Sequence, residues 1–203
     1  MTDTRRAELR KKMRNLRRAL PPAEQSAAAQ AITARLSSQD LFQQAATIAA
    51  YLPFDGEVDT RSLIAAAIDA GKTVCLPVLV NDGKNMKFAV YTPGQRLVTN
   101  DYGIEEPAPE DRLYVAADQL ELVLTPLVAF DHSLNRIGMG AGYYDRCFSF
   151  LRQRKNNTKP CLIGLAHDFQ RITAIAAREW DVPLSGVATE ISFYTSSAAA
   201  SRK

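Results

Sequence analysis

The chain has 203 residues, 46% hydrophobic and 23% charged, an ordinary globular composition that suits one domain with a sizeable core. It holds no apolar run long enough to cross a membrane and no apolar block of a secretory signal, so a cytoplasmic protein is expected. The net charge of +3 is local, because residues 1–20 carry eight Lys or Arg against two acids while the rest carries 17 basic and 20 acidic residues, which points to one anionic ligand rather than a globally basic nucleic-acid binder.

Residues 3–19 read as a helix, with Leu9, Met13, Leu16 and Leu20 on one stripe and Arg6, Arg10, Arg14 and Arg17 on its flank. Pro21 and Pro22 stop this helix and start an alanine-rich one over 23–36. Residues 47–52 read as a buried strand and 53–56 as a turn. Asp59 or Thr60 then caps a helix that reaches Ala70, where Gly71 ends it. Residues 74–80 and 86–91 read as a hairpin around Asn81-Asp82-Gly83, with Pro77 interrupting the first strand. Residues 92–118 read as a long surface loop, with room for one short strand. Residues 122–125 form a strand, 143–152 a helix, 153–159 an exposed polar linker and 161–166 another buried strand. A helix over 169–178 and a last strand over 187–194 follow, and the tail from Ser196 reads as frayed. Alternating strands and helices predict an α/β sheet covered on both faces, in one domain over 1–195. The three cysteines, Cys75, Cys147 and Cys161, read as buried free thiols of a reducing compartment, and the two histidines, His132 and His167, make no zinc spacing.

The most informative stretch is residues 136–146, Arg-Ile-Gly-Met-Gly-Ala-Gly-Tyr-Tyr-Asp-Arg. Alternate glycines at 138, 140 and 142 leave a bare main chain whose N–H groups can gather around one anion such as a phosphate. A helix start at Tyr143 adds unpaired N–H groups. Arg136 and Arg146 bracket the loop, and Asp145 is placed to reach a metal ion. The pattern is not a dinucleotide fingerprint, since Tyr143 stands where the third glycine would fall. Gly71-Lys72-Thr73 ends like a P-loop, but Ala66 occupies the required upstream glycine position and the order is helix then strand, so it reads as a helix stop. The arginines of the first helix allow four readings: a solvated face, RNA phosphate contacts, a mitochondrial presequence, or a grip by Arg6 and Arg10 on a nucleotide's phosphates. Glu57 follows a strand end, where open α/β sheets bind ligands and a carboxylate could bond a heterocycle; a solvated loop acid is the alternative. Asp181 by itself reads as an ordinary turn residue before Pro183.

Taken together, these pieces resemble the 5-formyltetrahydrofolate cyclo-ligases, or methenyltetrahydrofolate synthetases. The resemblance rests on the eleven-residue glycine loop, on Tyr51 with Glu57-Val58-Asp59-Thr60, on residues 124–131, on Arg18-Ala19-Leu20, on Gly164-Leu165-Ala166 and on Asp181. It implies a three-layer α/β sandwich with a mostly parallel sheet, akin to sugar-phosphate isomerases and CoA transferases. It implies ATP- and Mg²⁺-dependent conversion of 5-formyltetrahydrofolate, with or without a polyglutamate tail, into 5,10-methenyltetrahydrofolate by a monomer that uses neither membrane nor nucleic acid. By motif, ATP would lie on Arg6, Arg10, Arg136, Ile137, Gly138, Met139, Gly140, Ala141, Gly142, Tyr143 and Tyr144. Asp145 and Asp181 would hold Mg²⁺. Leu52, Glu57, Tyr143 and Tyr144 would line the folate pocket, and Arg136, Tyr144 and Arg146 would serve catalysis. Two positions depart from the family pattern: Arg6 where lysine is usual, and Ala141 where glycine is frequent.

The implied chemistry needs positioning and charge neutralisation more than a covalent nucleophile, since the formyl oxygen itself would attack the γ-phosphate and give an iminium phosphate. The rival readings are an ATP-independent isomerase or transferase on the same fold, and an RNA-associated protein that uses the basic helix.

Overall fold

The computed structural model describes residues 2–80, 82–153 and 159–195. Most of the expected linker over 153–159 and the whole tail from Ser196 lie outside the described residues, as does Asn81 of the hairpin turn.

Helix α1 (Asp3–Ala19) starts where the Thr2 hydroxyl accepts from the Arg5 amide at 3.3 Å. Pro22 opens α2 (Pro22–Ser37), and a short α3 (Asp40–Gln44) follows that the hydrophobic pattern did not reveal. Strand β1 (Thr47–Ala49) is shorter than expected, and α4 (Arg61–Asp69) is capped by Asp59, whose Oδ1 accepts from the Arg61 amide at 2.9 Å. Gly71 closes α4 with its amide on the Ile68 carbonyl at 2.9 Å. Lys72 donates to the carbonyls of Gln43 and Ala45, each at 2.8 Å, so the P-loop-like triplet is a helix stop that also holds the end of α3.

Strand β2 (Thr73–Leu79) pairs with β3 (Met86–Val90) as the expected hairpin. Pro77 does not interrupt it. Its backbone faces the β1 side, where β1 has already ended opposite Cys75, so its missing N–H leaves no ladder bond unmade. The long loop over 92–118 contains β4 (Leu97–Thr99), β5 (Glu105–Pro107) and β6 (Tyr114–Val115). The first two pair only with each other, antiparallel. Then come β7 (Leu122–Pro126), β8 (Ala129–Phe130), β9 (Arg136–Ile137), α5 (Tyr143–Cys147) and β10 (Cys161–Leu165). The helix expected over 143–152 keeps α-geometry only to Cys147 and continues as a 3₁₀ turn over Ser149–Gln153.

Two expectations fail. No helix forms over 171–178; only Asp168–Gln170 makes a 3₁₀ turn. Two amides there are drawn away across the chain, Ile172 to the Phe130 carbonyl and Ile175 to the Asp131 carboxylate, both at 2.8 Å, which interrupts a helical ladder. The single strand over 187–194 is two antiparallel strands, β11 (Gly186–Ala188) and β12 (Phe193–Thr195). Thr189 makes the turn between them, its hydroxyl accepting from the amides of Ile191 and Ser192.

The main sheet has eight strands in the order β12-β11-β10-β7-β1-β2-β3-β6. The five from β11 to β2 run parallel, β12 and β3 run against them at either side, and β6 pairs antiparallel with β3 and so shares the direction of the five. Both faces are buried, as their apolar runs require. Leu122, Leu124, Ile48 and Ala50 join one core with α2 and α4; Val123, Ala49 and Cys75 join the other with Phe148 beyond α5. This is a three-layer, mostly parallel α/β arrangement. Numbered in chain order, the parallel strands read 2-1-3-4-5, which reverses direction between β1 and β7. All three cysteines are free, but only Cys75 is buried; Cys147 and Cys161 are half-buried.

Helix α1 lies apart from these two cores and packs Met13 on Val128, Ala129 and Ile137. Its arginine flank is the buried side: Arg6 is 4% exposed and Arg17 1%, while Leu16 of the apolar stripe is 43% exposed. The reason is the turn after β1. Asp55 receives Arg14 at 2.5 Å, Arg17 at 3.3 Å and Arg18, and Arg17 also donates to the Leu127 carbonyl at 3.1 Å. Burial opposes ionisation of Asp55, but these guanidinium groups more than offset it and hold the carboxyl below its usual range. Gly56 sits against the helix so closely that a Cβ would lie 2.9 Å from the Arg17 carbonyl carbon, and its φ is +73°. Gly71 has φ +72° with nothing within 4 Å. Gly71→Ala is therefore expected to cost about 1–2 kcal/mol from left-handed geometry alone. Gly56→Ala adds displacement of α1, so its unfolding free energy in urea should fall at least ~1 kcal/mol further.

Candidate active site

The glycine loop leaves β9 and enters α5. Gly140 has φ +113° and Gly142, the residue before α5, has φ +70°, conformations that side chains with a Cβ rarely adopt. A Cβ on Gly138 would meet nothing within 4 Å. The Arg10 Nε donates to the Gly138 carbonyl at 2.8 Å, and its guanidinium covers Gly140. Because α5 has only five residues, its dipole adds less than the sequence suggested, and the exposed amides of the loop itself are the main donors.

The loop faces a cavity of about 870 Å³ at the carboxyl ends of the parallel strands. Tyr51 and Leu52 after β1 and Pro126 of β7 line it, which places it at the reversal of strand order where open sheets bind ligands. The structure brings together on this cavity Arg6, Arg10, Leu52, Glu57, Arg136, Gly138, Met139, Gly140, Ala141, Gly142, Tyr143, Tyr144, Asp145, Arg146 and Asp181. Ile137 is the exception. Its side chain is 1% exposed in the cluster with Met13, and its carbonyl accepts from Val128 at 2.7 Å.

The charged side chains are tied to one another. Arg136 donates to Asp145 Oδ1 at 2.7 Å and to the Val182 carbonyl, and the Val182 amide returns to the same Oδ1 at 3.0 Å. Asp181 Oδ2 accepts from the Arg178 amide at 2.9 Å and lies 3.8 Å from Arg6 Nη2. Arg6 also donates to the Ala176 carbonyl, while its buried Nε has no partner. Burial, and then the neighbouring Arg6 charge, lower the pKa of Arg10, a strain that an arriving anion would relieve. Arg146 bends back over the loop: its Nε donates to the Lys84 carbonyl at 2.8 Å and its guanidinium covers the Tyr143 ring at 5.3 Å.

The opposite lining is apolar, with Phe54, Pro77, Leu79, Met86 and Ile104 beside Leu52. Its acid is Glu57. Burial pushes this carboxyl up to about 7, against the pull of Arg17 at 3.9 Å and of the Phe54 amide at 3.2 Å. Tyr144 is held far above its ordinary pKa by burial and then by Glu57, so its phenol stays a neutral donor. Among the described residues no group of three or more His, Cys, Asp or Glu is poised to hold a metal. Asp145 and Asp181 both line the cavity, and one or two carboxylates suffice for a cation that arrives with phosphate oxygens.

The sequence reading did not single out Tyr51, Arg14, Tyr102, Arg178 or Trp180 as lining, although all five line the cavity. Arg178 covers the Trp180 ring at 5.4 Å, and Trp180 is 55% exposed at the cavity. The one available signal was that Trp180 is the only tryptophan of the chain and adjoins Asp181.

Known proteins resemble this chain in sequence and in fold. The 5-formyltetrahydrofolate cyclo-ligase from Escherichia coli K12 is 40% identical over 178 residues, which cover 87% of this chain and 96% of that protein. The enzyme of the same name from Haemophilus influenzae is 35% identical and covers 91% and 97%. The solution structure of Aquifex aeolicus 5,10-methenyltetrahydrofolate synthetase superposes with a TM-score of 0.78 at 27% identity, covering 95% of this chain and 93% of that one. The Mycoplasma pneumoniae 5,10-methenyltetrahydrofolate synthetase gives 0.72 at 25% identity, covering 93% and 99%. Residues 2–190 match the description of one family from end to end, and the chain belongs to it: the 5-formyltetrahydrofolate cyclo-ligase family.

Proposed function

We propose that this chain catalyses the ATP-dependent cyclisation of 5-formyltetrahydrofolate to 5,10-methenyltetrahydrofolate, with release of ADP and phosphate. The observation that carries the reading is the single cavity in which a bare, arginine-covered loop faces an apolar wall holding one buried carboxyl. A triphosphate suits the first and a reduced pterin the second.

The loop amides with Arg10, Arg136 and Arg146 orient the triphosphate and offset its charge. Arg6, which also lines the cavity, adds positive charge at the same end. Leu52 and Glu57 seat the pterin with its formyl oxygen toward the γ-phosphate. That oxygen attacks phosphorus and ADP departs; the nitrogen at position 10 then attacks the activated carbon, loses its proton, and phosphate leaves. Tyr144 remains protonated throughout and donates to an oxygen. Asp145 and Asp181 would hold Mg²⁺, which supplies charge neutralisation to the phosphates when bound. Glu57 is poised to serve a pterin in either form, donating from its neutral carboxyl or accepting once ionised.

The test is incubation with 5-formyltetrahydrofolate, with and without Mg-ATP, following the near-ultraviolet absorbance of the methenyl product. Product without nucleotide, or none with it, would overturn the reading. Arg10→Ala should lower kcat/KM for ATP on the order of a hundredfold with the unfolding midpoint little changed. Asp145→Ala should depress turnover more than it depresses binding of nucleotide without metal. Glu57 also makes a prediction for stability. Its folded pKa of about 7 exceeds the ordinary 4.5, so the folded state holds this proton more tightly. That contribution is complete below 4.5 and is lost as pH rises through 7, by about 3 kcal/mol at most. Urea unfolding at pH 4.5, 6 and 8 should show Glu57→Gln gaining on the wild type with rising pH; parallel curves would refute the assignment.

A further inference from the structure

Two pieces of the cavity's apolar wall lie apart in sequence, the end of β2 at Leu79 and the loop tip at Tyr102 and Ile104. One buried carboxylate joins them. Glu106 in β5 is 6% exposed, and its Oε2 accepts from the Leu79 amide at 3.1 Å and from Asn100 Nδ2 at 3.3 Å. Its Oε1 accepts from Arg112 Nη2 at 2.7 Å, and Arg112 Nε donates to the Pro107 carbonyl at 2.8 Å. Asn100 passes the constraint on: its Oδ1 accepts from the amides of Tyr102 at 3.0 Å and Ile104 at 3.1 Å. The tip it shapes reaches the glycine loop, since the Tyr102 and Tyr143 hydroxyls lie 3.2 Å apart and the rings meet edge to face.

A solvated loop needs none of this. Burying a carboxylate costs several kcal/mol unless every lone pair is used, and here the bonds run to both halves of one wall. Strands β4 and β5 pair only with each other, so the main sheet's ladder does not set the height of this tip. The turn closes with two backbone bonds of its own, Asn100 amide to Ile104 carbonyl and Gly103 amide to Asn100 carbonyl, each at 2.9 Å, and the side chains tie that turn to the end of β2. We propose that Arg112, Glu106 and Asn100 form a positioning relay that sets the loop 100–104 over the pterin half of the cavity and so governs affinity for the formylated substrate.

The inference rests on the reaction proposed above, and its test separates the two. Asn100→Ala removes the acceptor for both tip amides without touching the core. In steady-state kinetics it should raise KM for 5-formyltetrahydrofolate about tenfold, the loss of one well-made hydrogen-bond set, and leave KM for ATP and kcat within about twofold. Glu106→Gln should give the same split, and the double variant should be little worse than either single one, because both act through one path. Equal rises in the two KM values, no rise in either, or additive losses would overturn the relay. Should Glu106→Gln fail to fold, Asn100→Ala carries the kinetic test alone. Hydrogen exchange gives a readout that needs no turnover: the amides of Tyr102 and Ile104 should lose protection in Asn100→Ala while those of β1 and β7 keep it. Absence of turnover in the wild type would overturn the reaction, whereas unchanged exchange at those two amides would overturn the relay whatever the turnover shows.

Discussion

A single carboxylate, Asp55, decides where the first helix lies, and the cavity depends on that helix. Three arginines converge on it, and the most buried of them, Arg17, also satisfies the Leu127 carbonyl at the end of β7. A guanidinium taken out of water is tolerated only with partners in good geometry, so the helix has one docking position in which its charges are met. Arg6 and Arg10 lie on the same flank as Arg17, two to three turns nearer the N-terminus. The clamp at one end of α1 therefore delivers two cations to the glycine loop at the other. Gly56 belongs to the clamp, since only a residue without a Cβ lets the turn come so close to the helix backbone.

The cavity holds charge at a cost that a ligand would offset. Around the loop, arginines crowd one another, and the two aspartates that answer them are already engaged, Asp145 by Arg136 and Asp181 by the Arg178 amide. On the apolar side a carboxyl is buried deeply enough to hold its proton near neutrality. Neither arrangement is what a core would choose for stability. Both are preorganised polar environments of the kind that favours a charged transition state over a solvated ground state. The loop over 100–104 belongs to the same logic, for a buried ion pair between Glu106 and Arg112 stands behind the hairpin that carries it.

The legible parts of the chain were those with local causes. The proline pair at 21–22, the glycine at 71, the short apolar runs and the spaced glycines each act on their own neighbours, and the elements they imply are present. The segments misread have causes that the hydrophobic pattern does not carry, one of them distant in the chain and the other a single side chain. Residues 171–178 have helical composition, yet two of their amides are claimed by Phe130 and Asp131 some forty residues earlier in the chain. The break between β11 and β12 comes from one threonine side chain bonding its own backbone, which the hydrophobic pattern hides. Trp180, Arg178 and Tyr102 carried no local signal strong enough to mark them, because a residue lines a cavity through its distant neighbours.

The amino-acid order alone determined the alternation of strand and helix, the bare phosphate-suited loop, the basic first helix and the family likeness, because each is written in residues adjacent or a few turns apart. Which face of that helix turns inward was decided only by tertiary structure. Met13 of the apolar stripe turns inward together with Arg6 and Arg17 while Leu16 stays exposed, because Asp55 draws the arginine flank toward the turn after β1. The proton on Glu57 was likewise settled by folding, since a carboxyl's pKa depends on the water removed from around it, and no sequence position carries that information by itself.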